Sequence, residues 1–301
     1  MSRFNRREFL KASGATAASA TTPLLLQACA TEPEAPSKPI GRVIVIGAGF
    51  GGATAARYLR MWSGGAIEVF LIERGSEFVS CPTSNLVLGG SRKIGEITRS
   101  YEKLRDHGVH VLRDEATGIN AEKKRVVLKK IQDLSYDRLV VSPGIELMHD
   151  QIQGYDAEAQ KRILHAWKAG PETVALRQQL EAMPDGGVYV LSIPRAPYRC
   201  PPGPYERACQ VASYFKQAKP RSKVLILDAN EDVISKGPLF KAAWQDLYAG
   251  IIEYRGNSEV KSVDARAGTV RTDFDTIKGD VLNVLPPMRA GDIARDRKSV
   301  V

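Results

Sequence analysis

With 301 residues and a formal net charge of +9, the chain is long enough for two α/β domains of ordinary size and is moderately basic. Its lysines and arginines form no stripe interleaved with aromatic residues, which argues against a nucleic-acid partner. An acidic protein face is a fair partner for this charge, and inorganic anions are a candidate class of substrate.

The N-terminus carries an export signal of the twin-arginine type. Residues 5–11 read Asn-Arg-Arg-Glu-Phe-Leu-Lys, and a weakly apolar stretch follows them. We therefore predict a signal peptide over residues 1–30, a polar, proline-rich linker over residues 31–40 and a periplasmic protein. The residues ending at Cys29 also resemble a lipobox, but Gln27 fits that box poorly, so release without acylation is favoured.

The rest of the chain contains no stretch apolar enough to span a membrane. Four cysteines in an exported chain fit one or two redox-active or covalent roles better than a disulfide framework; they are Cys29, Cys81, Cys200 and Cys209. The four histidines are widely scattered, so we expect no metal site.

The first element after the linker has the pattern of a dinucleotide-binding unit. An apolar run at residues 42–46 predicts a buried parallel strand, and a small-residue helix follows it. Between them lie the glycines of a GxGxxG turn, Gly47, Gly49 and Gly52. These glycines let the backbone approach a pyrophosphate at the helix N-terminus. A second strand at residues 67–72 ends at Glu73, an acid placed to accept hydrogen bonds from an adenosine ribose.

The segment at residues 136–144 favours FAD over NAD as that dinucleotide. It resembles the strand and glycine that close the first FAD segment of two-dinucleotide flavoproteins, and it supplies Pro143 and Gly144. Short strands such as residues 125–128 suit the small antiparallel sheet that is often inserted in this fold. With Arg74, these residues complete the predicted FAD site.

The second nucleotide-type unit differs from the first at its phosphate loop. An apolar run at residues 187–191 leads into a loop where phosphate-binding glycines are expected, but the loop holds four prolines and Cys200 instead. This chemistry disfavours NADH and suggests that sulfur delivers the electrons. Cys209 falls in a helix predicted over residues 205–216, and we interpret it as a buried face residue rather than the partner of Cys200.

Three segments then point to one family. They are residues 81–90, 165–170 and 198–207. From about Arg42 to Ala290 the chain resembles the flavoprotein subunit of flavocytochrome c sulfide dehydrogenase, a relative of the sulfide:quinone oxidoreductases. The resemblance implies an α/β fold of two Rossmann-like dinucleotide-binding-type domains in a glutathione-reductase-like architecture. We expect the first segment of the FAD-binding domain over residues 41–155 and the second domain over residues 156–285.

The resemblance also implies site roles. Cys81 matches the cysteine that bonds the flavin through a thioether, and Cys200 matches one half of a catalytic redox disulfide that sulfide attacks. In the family the electrons then leave singly to a c-type cytochrome. Since the sequence contains no CxxCH, that haem belongs on a separate subunit.

The C-terminal part departs from the family pattern. The family returns to the FAD domain with a Gly-Asp segment and then adds an interface domain carrying the other half of the disulfide. Here residues 281–287 reach the start of that return and the chain stops soon after. We therefore expect the second FAD segment and the interface domain to be missing, with residues 286–301 as a truncated tail.

The main hypothesis is an exported FAD-dependent oxidoreductase that oxidises sulfide or a related reduced sulfur compound and passes electrons to a c-type cytochrome subunit. One alternative is a non-catalytic truncated remnant that at best binds FAD or a partner. A second is an enzyme like the sulfide:quinone oxidoreductases, and a weaker third is sulfur-carrier binding through Cys200.

Overall fold

The computed structural model describes residues 38–295. The predicted signal peptide, Cys29 and most of the predicted linker lie outside these residues. Within residues 38–295, no helix is long and apolar enough to cross a membrane.

The first half of the structure is built on a four-stranded parallel sheet. Its order is β5-β2-β1-β9, with β1 at Gly41–Ile46, β2 at Ile67–Glu73, β5 at Val109–Arg113 and β9 at Arg138–Val141. The helix α1 (Phe50–Trp62) crosses from β1 to β2. Val43 and Val45 of β1 pack on one face of the sheet, and Ile44 and Ile46 pack on the other. A parallel sheet is buried on both faces, which explains the uninterrupted apolar run of β1.

Short elements lie between the strands of this sheet. A two-stranded sheet pairs β3 with β4, and an antiparallel sheet of β6, β7 and β8 is inserted as predicted. The bounds of these strands are β3, Glu77–Val79; β4, Thr98–Ser100; β6, Ala116–Asn120; β7, Arg125–Leu128; and β8, Leu134–Ser135. The helices here are α2 (Ser84–Leu88), α3 (Glu102–Asp106) and the 3-10 helix Ile94–Ile97.

The second half repeats the parallel arrangement. Its sheet has the order β13-β12-β11-β17, with β11 at Val188–Ile193, β12 at Lys223–Asp228, β13 at Ile252–Arg255 and β17 at Val281–Val284. The helices of this half are α4 (Pro171–Ala182), α5 (Gly203–Ala218) and α6 (Gly237–Leu247). A three-stranded antiparallel sheet is inserted before β17, made of β14 (Ser262–Asp264), β15 (Thr269–Arg271) and β16 (Thr276–Lys278).

The crossover between the two halves is irregular. It contains β10 (Ile145–Leu147) and the 3-10 helices His149–Gln151 and Ala159–Lys161. After β17 the chain returns to the first half, because β18 (Met288–Ala290) pairs antiparallel with β10. The last described element, α7 (Asp292–Arg295), follows, and its Ile293 packs against the core on one face of the first sheet.

This return corrects the expectation that residues 286–301 are only a truncated tail, because residues 288–290 form a strand and residues 292–295 a helix. The pair Gly291-Asp292 follows β18 directly, where the resemblance leads us to expect a Gly-Asp segment. The pairing of β18 with β10 is what places it beside the first sheet. Residues 288–295 are therefore part of the first half of the molecule.

Candidate functional site

A cleft of about 970 Å³ opens at the carboxyl ends of the first sheet's strands. In open α/β sheets this edge is where ligands bind. Four of the predicted cofactor residues line it: Gly47, Glu73, Arg74 and Pro143. The returning segment lines it too, through Gly291, Asp292, Ile293 and Arg295.

The glycines of the turn after β1 serve different purposes. A Cβ on Gly47 would lie 2.2 Å from the Ser142 carbonyl oxygen, and one on Gly52 would lie 1.8 Å from the Gly47 carbonyl oxygen, so both positions need glycine for packing. Gly47 also has a φ of +91°, which favours glycine. A Cβ on Gly49 would meet nothing within 4 Å. Gly49 is the N-cap of α1, so its open side leaves room for a phosphate at the helix N-terminus.

The carboxylate of Glu73 is fixed by the backbone around it. Its Oε2 accepts a hydrogen bond from the Ala48 N–H at 2.8 Å, and its Oε1 accepts one from the Gly75 N–H at 2.9 Å. The acid is thus oriented at the mouth of the glycine turn while still lining the cleft. Arg74 beside it is exposed and lies 3.7 Å from Glu115 across the cleft.

The opposite wall of the cleft joins two segments far apart in sequence. Gly144 has a φ of +76°, and its carbonyl accepts a hydrogen bond from the Gly291 N–H at 3.0 Å. A Cβ on Gly291 would lie 2.9 Å from the Pro143 side chain. Pro143, Gly144 and Gly291 are therefore packed against one another beside Asp292.

These residues fit FAD. The space beside Gly49 is open, the carboxylate of Glu73 is held in place at the end of β2, and the cleft volume is of the size that cofactor pockets have. When bound, FAD would supply a two-electron acceptor. The glycine turn and α1 would hold its pyrophosphate, and Glu73 its ribose.

Cys81 lies at the start of α2. It is partly buried, and its carbonyl accepts hydrogen bonds from the Ser84 N–H at 3.1 Å and the Ser84 hydroxyl at 2.7 Å. Its Sγ accepts a hydrogen bond from the Ala169 N–H at 3.4 Å. Cys81 is thus turned toward residues 164–170, which we name the connecting segment.

Cys200 lies near the middle of the same connecting segment, directly after Arg199, which donates to the Trp167 carbonyl. It is exposed, with the left-handed φ of +62° that non-glycine residues adopt rarely. Its carbonyl accepts the Gly203 N–H at 2.9 Å, just before α5 begins. The Cys200 Sγ and the Trp167 ring both lie within 3.0 Å of the point that a Cβ on Gly203 would occupy.

The three cysteines among residues 38–295 are free thiols. Cys209 packs, partly buried, against the larger core of the second half. Burial raises the pKa of its thiol. In this structure it behaves as a packed face residue and is not bonded to Cys200.

A histidine and a glutamate brace the connecting segment. His165 Nδ1 accepts the Trp167 N–H at 2.9 Å, and its Nε2 lies 3.0 Å from Glu172. Burial works to raise the pKa of Glu172, but the hydrogen bonds from His165 hold this pKa below its ordinary value of 4.5. Since Nδ1 is an acceptor, the proton of neutral His165 is on Nε2 and is donated to the carboxylate.

The acidic residue that ends the second strand of the second sheet, Asp228, is enclosed by protein, and we call it the sealed acid. Asp228 ends β12 as Glu73 ends β2, but it is fully buried. Its Oδ2 accepts the hydroxyls of Tyr205 at 2.7 Å and Tyr254 at 3.1 Å, while Oδ1 accepts the backbone N–H and the amide of Asn230. Asp228 therefore anchors α5 and β13 and has no room to receive a ribose.

Sequence reasoning missed a buried polar network beside the two cysteines. Arg207, Asn85 and Asn283 are almost fully buried and are joined by hydrogen bonds. Arg207 lies in a segment that the family resemblance singles out, but nothing in its local pattern marks it as buried. Among residues 38–295, no group of three metal-ligating side chains is close enough to hold a metal ion.

Three parts of the sequence match known families. Residues 173–286 match the central part of the sulfide dehydrogenase (flavocytochrome c) flavoprotein chain, and residues 41–177 match the pyridine nucleotide-disulphide oxidoreductases. Residues 3–23 match the signal sequence of the twin-arginine translocation pathway. The chain is thus exported to the periplasm and has the α/β fold of the flavin-dependent disulphide oxidoreductases.

Individual proteins agree with these matches. The mitochondrial sulfide:quinone oxidoreductase of Dictyostelium discoideum is 23% identical over 265 residues, which are 83% of this chain and 57% of that protein. The solved structure of sulfide:quinone oxidoreductase from Aquifex aeolicus has a TM-score of 0.68 at 20% identity and covers 84% of this chain and 60% of its own. This chain therefore spans little more than half the length of these relatives.

A short sequence gives the most specific match. The sulfide dehydrogenase (flavocytochrome c) flavoprotein chain of Chlorobaculum thiosulfatiphilum is 52% identical over 46 residues, which are 15% of this chain and 94% of that sequence. This match and the family match over residues 173–286 name the same kind of protein chain. The chain belongs to the family of flavoprotein chains of flavocytochrome c sulfide dehydrogenase.

Proposed function

We propose that this chain is the flavin-bearing part of an exported sulfide dehydrogenase that passes electrons to a c-type cytochrome. The observation that carries the proposal is that Cys81 and Cys200 are both free thiols near one short connecting segment. The Cys81 Sγ accepts from the Ala169 N–H, and the Cys200 Sγ and the Trp167 ring both lie beside Gly203. A nucleotide-type unit that has a cysteine loop and a sealed acid lacks the means to take hydride from a nicotinamide. Sulfur chemistry at Cys200 is the route that this arrangement leaves.

FAD is the cofactor, and the finer proposal is that Cys81 holds it by a covalent bond. Forming the bond would break the S–H bond of Cys81 and a C–H bond of the flavin and would release two protons and two electrons, for which the flavin itself would be the acceptor. The Ala169 N–H orients Cys81, and the Ser84 hydrogen bonds fix its backbone. Gly47, Gly49, Gly52, Glu73, Arg74, Pro143 and Gly144 would hold the rest of the cofactor.

Cys200 is the residue that would receive sulfide. Exposure and a loop stiffened by four prolines keep its thiol accessible to a small anion. In the proposed reaction, Cys200 forms half of a disulfide with a cysteine other than Cys81 and Cys209. Sulfide would attack it and break the S–S bond, giving a persulfide on one cysteine and a thiolate on the other, so that the sulfur of the substrate loses two electrons. Bound FAD would serve as the acceptor of that electron pair, and a c-type cytochrome would remove the electrons one at a time.

The proposed reaction needs a partner that accepts electrons from FAD, and we propose a c-type cytochrome as that partner. The sequence holds no CxxCH motif for attaching a haem, so the haem would be on another subunit. Without the predicted signal peptide the formal net charge is +6, which suits an acidic face on that subunit.

The first test is flavin fluorescence of the purified, exported protein in a denaturing gel. The wild type should give a fluorescent band, and Cys81→Ser should give none while keeping the flavin before denaturation. Cys209→Ser is the matched control, because it removes a thiol that packs against the core, and its band should persist. A wild-type chain that binds FAD but loses all of it on denaturation would refute covalent attachment and leave FAD binding intact.

The second test concerns the reaction. Sulfide added without oxygen should bleach the flavin of the wild type and not that of Cys200→Ser. Oxidised c-type cytochrome should then restore the flavin absorbance faster than a soluble quinone does. Faster recovery with quinone would favour the function of the sulfide:quinone oxidoreductase relatives. Flavin that sulfide never bleaches would favour a non-catalytic chain.

A further inference from the structure

An unusual cation is buried between the two helices that follow the cysteines. Arg207, on α5, is only 1% exposed. None of the hydrogen-bond acceptors described for its guanidinium is a carboxylate. They are the Asn85 side chain at 3.0 Å, the Asn283 side chain at 2.8 Å, and the carbonyls of His165 at 2.8 Å and Ala166 at 2.7 Å. Burying a charge costs several kcal/mol of lost hydration, so a general contribution to stability does not account for its presence.

The partner of Arg207 on the other helix is Asn85. Asn85 lies in α2, four residues after Cys81, and its Oδ1 accepts from Arg207. Its Nδ2 donates to the Gly203 carbonyl at 3.1 Å and to Glu206 at 2.9 Å. Both of these acceptors belong to the first turn of α5, which begins three residues after Cys200. The amide therefore joins the helix behind one cysteine to the helix behind the other.

Arginines also hold the connecting segment, which contacts the Cys81 thiol and packs beside Gly203 near Cys200. Arg207 donates to the carbonyls of His165 and Ala166, and Arg199 donates to the carbonyl of Trp167. The guanidinium of Arg207 lies 4.8 Å from the centre of the Trp167 ring. Three successive carbonyls of the segment thus face arginine side chains.

The backbone of this segment is strained where Arg207 holds it. Ala166 is fully buried with a φ of +44°, a conformation that costs an alanine about 1 kcal/mol or more. Such a conformation persists when the surrounding contacts over-determine it. The Arg207 hydrogen bond to the Ala166 carbonyl is one of those contacts.

We propose that the hydrogen-bonded pair Asn85–Arg207 is a positioning device that fixes the separation of Cys81 and Cys200. It would hold a flavin attached at the first thiol in register with the second. The chemical roles of the two thiols rest on the function proposed above. The fixed separation rests on the contacts alone.

The test measures the separation of the thiols in the protein without added flavin. In a chain carrying Cys29→Ser and Cys209→Ser, only Cys81 and Cys200 remain to react with a series of bis-maleimides of increasing length. Internal cross-linking depends on the effective concentration of one thiol at the other, so a fixed separation gives a sharp shortest linker. With that linker, the yield should fall about fivefold or more in Arg207→Met and in Asn85→Ala.

Two further variants separate positioning from folding. Arg177→Met removes an arginine that donates to the Leu88 carbonyl at the end of α2 but does not contact Asn85, so it should cross-link as the parent does. Arg207→Lys keeps the buried charge and loses the planar fork, so it should remain folded by circular dichroism and still lose the short cross-link. A monofunctional maleimide should label both cysteines in every variant.

Unchanged cross-linking in folded Arg207→Met, Arg207→Lys or Asn85→Ala would overturn the proposal, as would a parent chain that no linker joins. A flavin that sulfide does not bleach, in a chain whose cross-linking follows the expected pattern, would count against the proposed function and leave the positioning role intact.

Discussion

At the scale of single residues, the glycines of the turn after β1 have different roles: one is required for packing and another leaves space for a ligand. Gly52 lies under the backbone of Gly47, where any side chain collides. Gly49 faces open space and has an extended backbone, with a φ of −69° and a ψ of −169°, that any residue adopts. A shared GxGxxG motif thus contains one glycine needed for the fold and another needed for the ligand.

We therefore expect Gly49→Ala and Gly52→Ala to fail in different ways. Gly49→Ala should keep the free energy of unfolding and weaken FAD binding about tenfold or more, because its methyl group occupies the approach of the pyrophosphate. Gly52→Ala should lower the free energy of unfolding by about 2–3 kcal/mol through overpacking. Urea unfolding and titration with FAD measure the two effects. Equal losses of stability in both variants would contradict this division.

A second prediction at the scale of single residues concerns the stability of the protein at acidic pH. His149 carries a buried Nε2 with no hydrogen-bond partner, and its ring lies 5.7 Å from that of His165 and 5.0 Å from that of Tyr155. Burial first, then electrostatic interaction with His165 and Lys168, holds the pKa of His149 below 6.5, against the opposing effect of Glu172. Below pH 6.5 the unfolded chain therefore binds more protons at this position than the folded one, and acid destabilises the fold.

We expect the urea midpoint to fall as the pH is lowered from 7.5 to 5.5, and to fall less in His149→Gln. Glu172 also has a lowered pKa, but its contribution to stability is present above pH 4.5 and is lost only below it, outside this window. A His149→Gln variant with the same pH dependence as the wild type would show that His149 is not responsible.

At the scale of the elements, α5 and α6 begin alike and differ in what their first residue touches. Each helix starts with a Gly-Pro pair, Gly203-Pro204 and Gly237-Pro238. A Cβ on Gly203 would lie 2.7 Å from the Trp167 ring and 3.0 Å from the Cys200 Sγ. A Cβ on Gly237 would meet Val233 at 3.6 Å, an ordinary contact. The start of α5 is therefore packed directly against the cysteine and the connecting segment.

These two glycines provide a matched test. Gly203→Ala should lower the free energy of unfolding by about 1–3 kcal/mol and change the rate at which Cys200 is alkylated, because its methyl group displaces Trp167 or the thiol. Gly237→Ala should change neither quantity beyond about 0.5 kcal/mol. Thermal unfolding and mass spectrometry of alkylated Cys200 give the readouts. An unaltered Cys200 in Gly203→Ala would mean that the loop does not depend on this packing.

At the scale of the whole molecule, two parallel sheets have the same strand pattern, but the acid that ends the second strand is exposed to a cleft in one and buried in the other. The first ends its second strand at Glu73, which lines an open cleft, and the second ends its corresponding strand at Asp228, which two tyrosine hydroxyls and Asn230 enclose. One unit keeps a nucleotide site, and the other uses its acid to hold α5 behind Cys200. Under the proposed function, this difference would be the physical basis for taking electrons from a source other than a nicotinamide.

FAD and NADH should accordingly act differently on the stability of the protein. In a Cys81→Ser background, where FAD would be exchangeable, FAD should raise the melting temperature with the logarithm of its concentration above the dissociation constant, because it would bind the folded chain at the first sheet. NADH over the same concentrations should leave the melting temperature unchanged. If NADH raises the melting temperature and competes with FAD, NADH binds in the first cleft. If the increases in melting temperature from NADH and FAD are additive, the enclosure around Asp228 opens to admit NADH.

Local patterns in the sequence were enough to predict the first nucleotide-binding unit, the export signal and the family. A buried strand, a GxGxxG turn and Glu73 stand within about 30 residues, so their spacing alone predicts their geometry. The same holds for Cys200, whose loop follows directly from β11.

Only the tertiary structure decided how distant segments meet. Gly291 and Asp292 reach the cleft because β18 pairs with β10, and Asn85 meets Arg207 across 122 residues of sequence. Asp228 is sealed because α5 and β13 each bring a tyrosine to it. No local sequence pattern encodes these contacts, because each one depends on which faces of distant elements pack together. Once buried, the polar side chains Asn85 and Arg207 form the hydrogen bonds that connect the helix after Cys81 to the helix after Cys200.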